Sequence, residues 1–417
     1  MLSDQHREII KATVPALKAH GETITSTFYG TMLKAHPELL NLFNPANQRG
    51  KGGQARSLAA SVIAYAENID RLGNLGSMVE RIATKHVSLE ILPEHYPIVG
   101  QYLLGAISEV LGKAATPEIL DAWGAAYGQL AEVMIGREQA LYTEATTQPG
   151  GWSGFKPFRV ERKVQESEET TSFHLVPADG VPLPAFKPGQ YVSVKIQPPG
   201  RPYEQIRQYS LSDAPDGRHF RISVKREAAP DCPAGLVSNF LHDALPEGGT
   251  LLVHTPAGDF VLNEEGESPV VLISGGAGIT AVLAMLEHLA THTTRAVLML
   301  HGARSRQHHA FAARVRELAN IRPGIRSVTL YEAVGPDDVP GEHHDAIGGI
   351  TAEVIRQNLP SGEAEFYYCG PIGFMTAAER ALDELGVPPA QRHSEAFAPD
   401  PSFATGSPDP KLQGKAA

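Results

Sequence analysis

Three stretches of this chain pair residue types with spacings that could hold a cofactor. In VVLISGGAGITAVLAML an apolar run leads straight into Gly276-Ala277-Gly278-Ile279-Thr280-Ala281, the pattern Gly-x-Gly-x-x-Ala between a strand and a helix. Glycines at such a turn let the backbone approach a pyrophosphate, and the helix that opens after it offers unpaired N–H groups to the anion. An ordinary strand-to-helix turn is the bland alternative, and the flanking strand and helix favour phosphate. The next strand ends at Arg304-Ser305-Arg306, where dinucleotide sites often carry an acidic ribose-binding residue; a 2′-phosphate is permitted, so NADH and NADPH both stay open, and so does a plain solvated loop. In YYCGPIGFM a strand ends at Cys369, Gly370 removes the neighbouring side chain and Pro371 starts a helix, leaving backbone that can lie flat against a planar ring. Cys369 reads as a polarizable wall, because no adjacent histidine or cation lowers its pKa. The third stretch, IATKHVSLEILPEHY, ends an amphipathic helix on His86 before a proline break. A lone helical histidine is more often filler than ligand.

Composition narrows the chemistry. The chain has 417 residues, too many for one ordinary core, so two or three domains are expected. An apolar fraction of 42% with 20% charged residues is that of a globular protein, and no run approaches the length needed to cross a bilayer. No secretory signal is legible at Met1-Leu2-Ser3-Asp4, and a cytoplasmic location is expected. Two cysteines, Cys232 and Cys369, exclude a disulfide framework and any four-cysteine metal centre. A formal charge of −11 argues against a nucleic-acid partner and for small-molecule chemistry by a chain expected to be monomeric.

The elements that must position these residues fall into three blocks. Residues 1–146 show helical periodicity, with a Ser3 cap, breaks at Pro37 and Pro45, and helix starts near Pro93 and Pro117; six or more helices are expected. TTQPGGWSGFKP marks a boundary, and FRVERKV, TSFHLVP, QYVSVKI, RQYSLSD and FRISVKR then follow as close-spaced strands of a small antiparallel barrel, 155–264. From Pro269 strands and helices alternate, which predicts an α/β domain with a parallel sheet, 267–399. The tail 400–417 has a disordered composition.

Within the middle block, RQYSLSD resembles the Arg-x-Tyr-Ser signature of the ferredoxin-reductase-like flavin domains, with PGQYVSV before it and GLVSNFLH, GAGIT and YYCGP after it in family order. The resemblance implies FAD. Arg207 would meet the pyrophosphate, Tyr209 pack on the isoalloxazine, Ser210 bond near its reactive edge, and Gln208 supply backbone. Tyr191 would cover the adenine side, and Val237, Ser238 and Asn239 would lie near phosphate oxygens. SEAFAPD resembles the closing strand, which puts Phe397 over the flavin and Glu395 beside it, with Ala396 and Ala398 where related sequences often carry Cys and Gly.

Residues 1–146 resemble the globin domain of the flavohaemoglobins, through STFYGTMLKAHPELLNLFNPANQ, KHVSLEILPEHY and DAWGAAYGQLAEVMIGREQALY. The resemblance implies haem b, with His86 on the iron, Phe43 wedged against the ring, and Tyr29 on the distal side with Gln54 and Leu58. It gives Glu138 and Tyr96 the task of polarising His86, and Lys85 a place between the haem and flavin sides. His20, His36 and His95 lack such matches and are assigned to surface or packing. The whole chain is thus similar to a nitric oxide dioxygenase, in which NAD(P)H reduces FAD, FAD reduces haem, and NO and O₂ become nitrate. A globin-type O₂ or NO sensor and a haem-free flavin reductase are the alternatives.

Overall fold

The computed structural model describes residues 2–44, 53–227 and 235–397. Pro45, Cys232, Ala398 and the tail lie outside them. The chain divides into two compact units, Met1–Thr146 with Pro199–Ile206, and Thr147–Pro198 with Arg207–Phe397. The strip Pro199–Ile206 falls in the sequence interval expected for the flavin barrel but packs with the helical unit.

The helical unit contains five α-helices among the described residues: α1 Asp4–Ala35, α2 Gln54–Glu67, α3 Gly76–Val87, α4 His95–Leu111 and α5 Pro117–Thr147. Three short 3₁₀ turns supplement them. Ser3 caps α1 by accepting from the His6 N–H at 3.1 Å. Along α1 the buried residues Ile10, Thr13, Leu17, Gly21, Ile24, Phe28 and Met32 recur every three or four positions, the spacing that puts one stripe on the core. On α5 the same spacing runs Ala131, Met134, Glu138. A carboxylate therefore occupies a core position, a cost that a hydrogen-bonding partner must offset.

The second unit holds two sheets. Strands β1 Phe155–Gln165, β2 Thr170–Pro177, β3 Tyr191–Ile196, β4 Gln205–Ser210, β5 Phe220–Lys225 and β6 Thr250–His254 run in the order β4-β3-β6-β1-β2-β5. The registered pairs are antiparallel, and an antiparallel bridge from Leu211 to Ile222 brings the end of β4 back to β5, closing the barrel. Phe158, Phe173, Phe220 and alternate valines of β3, β5 and β6 fill it. No expected strand corresponds to β6. Helix α6, Leu236–Asp243, follows β5.

The other sheet is parallel throughout its registered pairs, ordered β10-β9-β8-β7-β11-β12, from β7 Val270–Gly275, β8 Val297–Ala303, β9 Ile325–Tyr331, β10 Ala346–Ile347, β11 Glu365–Gly370 and β12 Arg392–Ala396. Helices α7 Ile279–His292, α8 Ala312–Ile321, α9 Ala352–Asn358 and α10 Ile372–Glu384 connect it. Every residue of β7 is buried, as a strand covered on both faces must be. The strand order reverses between β7 and β11, and a ligand crevice forms at such a point outside the carboxyl ends of the strands. The Gly276 turn and Cys369-Gly370 stand at those two ends.

Candidate functional site

His86 lies in the last turn of α3, and the chain then turns into α4, which opens on His95 and Tyr96. Two tyrosines of α5 pin this turn: Tyr142 donates to the Ile91 carbonyl at 2.8 Å and Tyr127 to the Tyr96 carbonyl at 2.6 Å. The turn places three side chains together. Glu138 Oε1 accepts from the Tyr96 hydroxyl at 2.5 Å and lies 2.7 Å from His86 Nδ1, which is 3.3 Å from that same hydroxyl. A carboxylate only accepts, so Nδ1 carries a proton, and in the neutral ring the lone pair is on Nε2. The Glu138 side chain is 2% exposed and that of His86 33%, so the carboxylate end is sealed and the ring keeps an accessible side. Burial, then the Glu138 hydrogen bond, push the Tyr96 hydroxyl far above its ordinary pKa, so it stays a donor.

Partly buried apolar residues are numerous in the same helical unit. Ile82, one turn before His86, packs against both the main helical core and the smaller cluster that contains Tyr96 and Met134. Tyr29, Phe43, Leu58, Val62 and Val99 form part of a half-buried fringe on the main core, more apolar surface than a finished core leaves at its edge. The Tyr29 and Phe43 rings meet edge to face at 5.7 Å, and the Tyr29 hydroxyl hydrogen-bonds the side chain of Gln54, the first residue of α2. Burial raises the Tyr29 pKa well above the usual phenol value, which keeps its proton available for donation. Lys85 is exposed on α3. Of the histidines assigned to packing, His36 pairs with Glu38 at 3.0 Å, His95 accepts from the Leu92 N–H at 2.9 Å, and His20 is exposed.

In the barrel, Arg207 and Tyr209 share one face of β4 by strand alternation, both half-buried, and burial lowers the Arg207 pKa and raises that of Tyr209. Gln208 donates to Ser193 Oγ at 3.4 Å, and Ser210 is buried. Helix α6 begins beside the buried Val237, and the first N–H groups of a helix have no partner within it. The Ser238 hydroxyl accepts from the Glu227 N–H at 3.1 Å and donates to the Gly235 carbonyl at 3.3 Å, so only its backbone is left for an anion. Asn239, read from the sequence as a phosphate neighbour, spends its N–H and its side-chain amide on Gly235 and Glu227 instead. The Tyr191 ring is buried, its backbone bonded twice to Ala257 at 2.8 Å.

At the parallel sheet, Gly276 has φ +50°, in the left-handed region, and a Cβ at Gly278 would overlap the Cys369 carbonyl oxygen. Close approach of the Ala277 turn to β11 thus requires the glycine. Thr280 Oγ1 donates to the Ala277 carbonyl at 2.9 Å, locking the turn into α7, where Ile279 and Ala281 are fully buried. Cys369 is fully buried and its thiol is pushed well above the usual range, first by burial and then by Glu395, its register partner on β12. It is a wall and no nucleophile. Gly370 ends β11 at the crevice, and Phe397 is 50% exposed. Arg304 pairs with Glu169 at 2.5 Å and Arg306 lies 3.8 Å from Asp338.

Family models match three successive segments: globin over residues 26–134, the oxidoreductase FAD-binding domain over 157–262, and the oxidoreductase NAD-binding domain over 272–380. The flavohemoprotein of Deinococcus radiodurans is 59% identical over 405 residues, 97% of this chain and 99% of that one. The chain belongs to the flavohemoprotein family. The Bacillus subtilis flavohemoprotein is 45% identical over 97% of this chain and 99% of its own. A crystal structure of the flavohemoglobin of Malassezia yamatoensis with bound FAD and heme superposes with a TM-score of 0.83 at 30% identity, covering 95% of this chain and all of that one. The FAD/NAD-binding domain of nitric oxide dioxygenase from Vibrio cholerae matches 58% of this chain and 98% of its own at 40% identity, TM-score 0.53. This flavohemoprotein is therefore an oxidoreductase with haem, FAD and a nicotinamide nucleotide as its cofactors. Its residues fit them: an imidazole with a carboxylate on Nδ1 and an accessible side, a helix start at Gly235 with no side-chain cap, and a glycine turn at the switch point.

Proposed function

We propose that this flavohemoprotein is a nitric oxide dioxygenase, consuming NO, O₂ and NAD(P)H and releasing nitrate, with one electron taken up per nitrate. When bound, haem supplies an iron that takes single electrons and coordinates small gases, FAD splits a two-electron reductant into single electrons, and the nucleotide supplies that reductant. The observation that carries the reading is the shared Glu138 Oε1, which receives both Tyr96 and His86. A sealed carboxylate on Nδ1 makes the imidazole a stronger donor through Nε2, the push that favours oxygen chemistry over storage. Tyr29, kept protonated by its burial, holds a donor where negative charge would develop, and Gln54 orients its hydroxyl. Phe43 and Leu58 exclude water, and Lys85 stands exposed next to the ligand.

In the reductase unit, Arg207, the α6 N–H groups at Val237 and Ser238, Tyr209 and Ser210 would hold FAD, with Gln208 as backbone and Tyr191 buried behind. The turn Gly276-Ala277-Gly278-Ile279-Thr280-Ala281 and Cys369-Gly370 would seat the nucleotide, and Glu395 and Phe397 close the strand end. The working divisions are 1–146 for haem, 155–264 for FAD and 267–399 for the nucleotide. No described helix is long and apolar enough to cross a membrane, consistent with small diffusible partners. The test is an NO electrode in air with the cofactor-loaded protein: rapid NADH-dependent NO loss with nitrate as product is expected. Loss no faster than in buffer, with haem and flavin both present, would return the sensor reading.

A further inference from the structure

A buried ionic link joins the flavin barrel to the nucleotide helix, and none of the site residues above takes part in it. Arg221 on β5 has 10% of its side chain exposed and Glu287 on α7 has 5%, and their Nη2 and Oε1 are 3.1 Å apart. Each end is anchored. Arg221 donates through Nε to Ser212 Oγ at 3.2 Å and through Nη2 to the Ser212 carbonyl, and its Nη1 lies 3.5 Å from Asp213. Ser212 itself donates its N–H to the Arg221 carbonyl at 2.9 Å. It stands two residues beyond Ser210, at the end of the strand that carries Arg207 and Tyr209. On the other side, Glu287 Oε1 also accepts from Arg314 Nε of α8 at 3.1 Å. Glu287 is two turns along the helix that opens directly after Gly278. The guanidinium is capped by the Phe311 ring, 5.2 Å from its centroid. Its planar fork thus spends its donors on two elements at once, which a flexible ammonium could not do with the same directionality.

Apolar side chains would join two lobes with less desolvation than an ion pair does. What the pair adds is direction, since a fork bonded to a strand end and a helix carboxylate admits one spacing between them. We propose that Arg221 and Glu287 are positioning residues for the transfer from nucleotide to flavin, setting the separation between the flavin-bearing end of β4 and the nucleotide-bearing helix α7. The proposal rests on the reading that this unit reduces FAD with a nicotinamide nucleotide. In that step a C–H bond of the reduced nicotinamide breaks and its proton and electron pair pass together to a flavin ring nitrogen, oxidising the nucleotide and reducing FAD. Small displacements of reacting atoms are expensive in such a step, about a hundredfold for an ångström.

The experiment follows anaerobic flavin bleaching by NADH in the holoenzyme, using nucleotide protiated or deuterated at the transferred position. It compares the parent with Arg221→Met, Arg221→Lys and Glu287→Gln. For Arg221→Met the limiting rate should fall by about tenfold to a hundredfold, with the isotope effect retained, the half-saturating NADH and the FAD content within about twofold of the parent, and part of the rate regained in Arg221→Lys. Amide exchange near Ser212 and Glu287 should quicken while the Gly276 turn stays as in the parent. Glu287→Gln keeps the shape and decides the matter if Arg221→Met does not fold. A limiting rate within twofold of the parent in Glu287→Gln despite faster exchange, or a rate loss that merely follows loss of FAD, overturns the proposal. A parent that does not bleach with NADH sinks the reductase reading instead.

Discussion

His86 and His301 both have a polar partner at Nδ1, yet their rings are treated in opposite ways. At His86 a sealed carboxylate takes Nδ1 while a third of the side chain stays accessible. At His301, on β8, Nδ1 lies 2.8 Å from the Ser274 hydroxyl, the ring stacks on His309 at 4.5 Å, and only 2% of the residue is exposed. His309 in turn meets the Tyr331 hydroxyl at 3.0 Å. No carboxylate is among these partners, and burial drives both rings below their ordinary pKa, His309 to about 4. What sets His86 apart is a buried carboxylate on one nitrogen of a ring that keeps an accessible side; His36 also meets a carboxylate, but that of Glu38 is exposed, and His301 meets none.

The contrast can be broken most sharply at His86. His86→Ala should abolish the Soret band and NO consumption while NADH still bleaches the flavin; a normal haem spectrum in that variant would reject the ligand assignment. Next in size is Tyr29→Phe, which keeps the ring against Phe43 and removes the donor. It should lower NO turnover by about a hundredfold at unchanged haem content, measured at the NO electrode, and an unchanged rate would strip Tyr29 of its role. Glu138→Gln keeps an acceptor for Nδ1 but removes the charge, so turnover or haem affinity should drop by about tenfold, with a raised haem midpoint potential in spectroelectrochemistry. An unaltered potential would show that the carboxylate does no more than pack.

The smallest effect belongs to the packing pair. His309 titrates near 6.5 when unfolded and at about 4 when folded, so the folded state binds fewer protons between those values. Stability is complete above about pH 6.5 and is lost as pH falls, on the order of 3 kcal/mol by pH 4 from this group. Thermal melts of the reductase unit from pH 7 to 4 should show the decline, and His309→Leu should flatten it. A curve of the same slope in the variant would remove His309 as its source.

Parts of this site are legible in the sequence. The Gly276 turn declared itself because an apolar strand, a glycine pattern and a helix follow one another within a few residues, and local chemistry suffices there. Glu138 also left a trace, falling four residues after Met134 and seven after Ala131 on an otherwise apolar stripe. The short β6 and the use of Asn239 to cap its own turn left none that periodicity could resolve. Arg221 and Glu287 lie sixty-six positions apart in the chain, and no local pattern links them.

Sequence alone determined the helical unit, five of the six barrel strands, the parallel sheet and the residue types available for chemistry, because periodicity and turn preferences are properties of neighbours. The tertiary structure alone decided which nitrogen of His86 is free, which arginines are already spent, and which glycine cannot carry a Cβ. Those outcomes depend on groups brought within about 3 Å from distant positions, and hydrogen bonding and desolvation act only at that range.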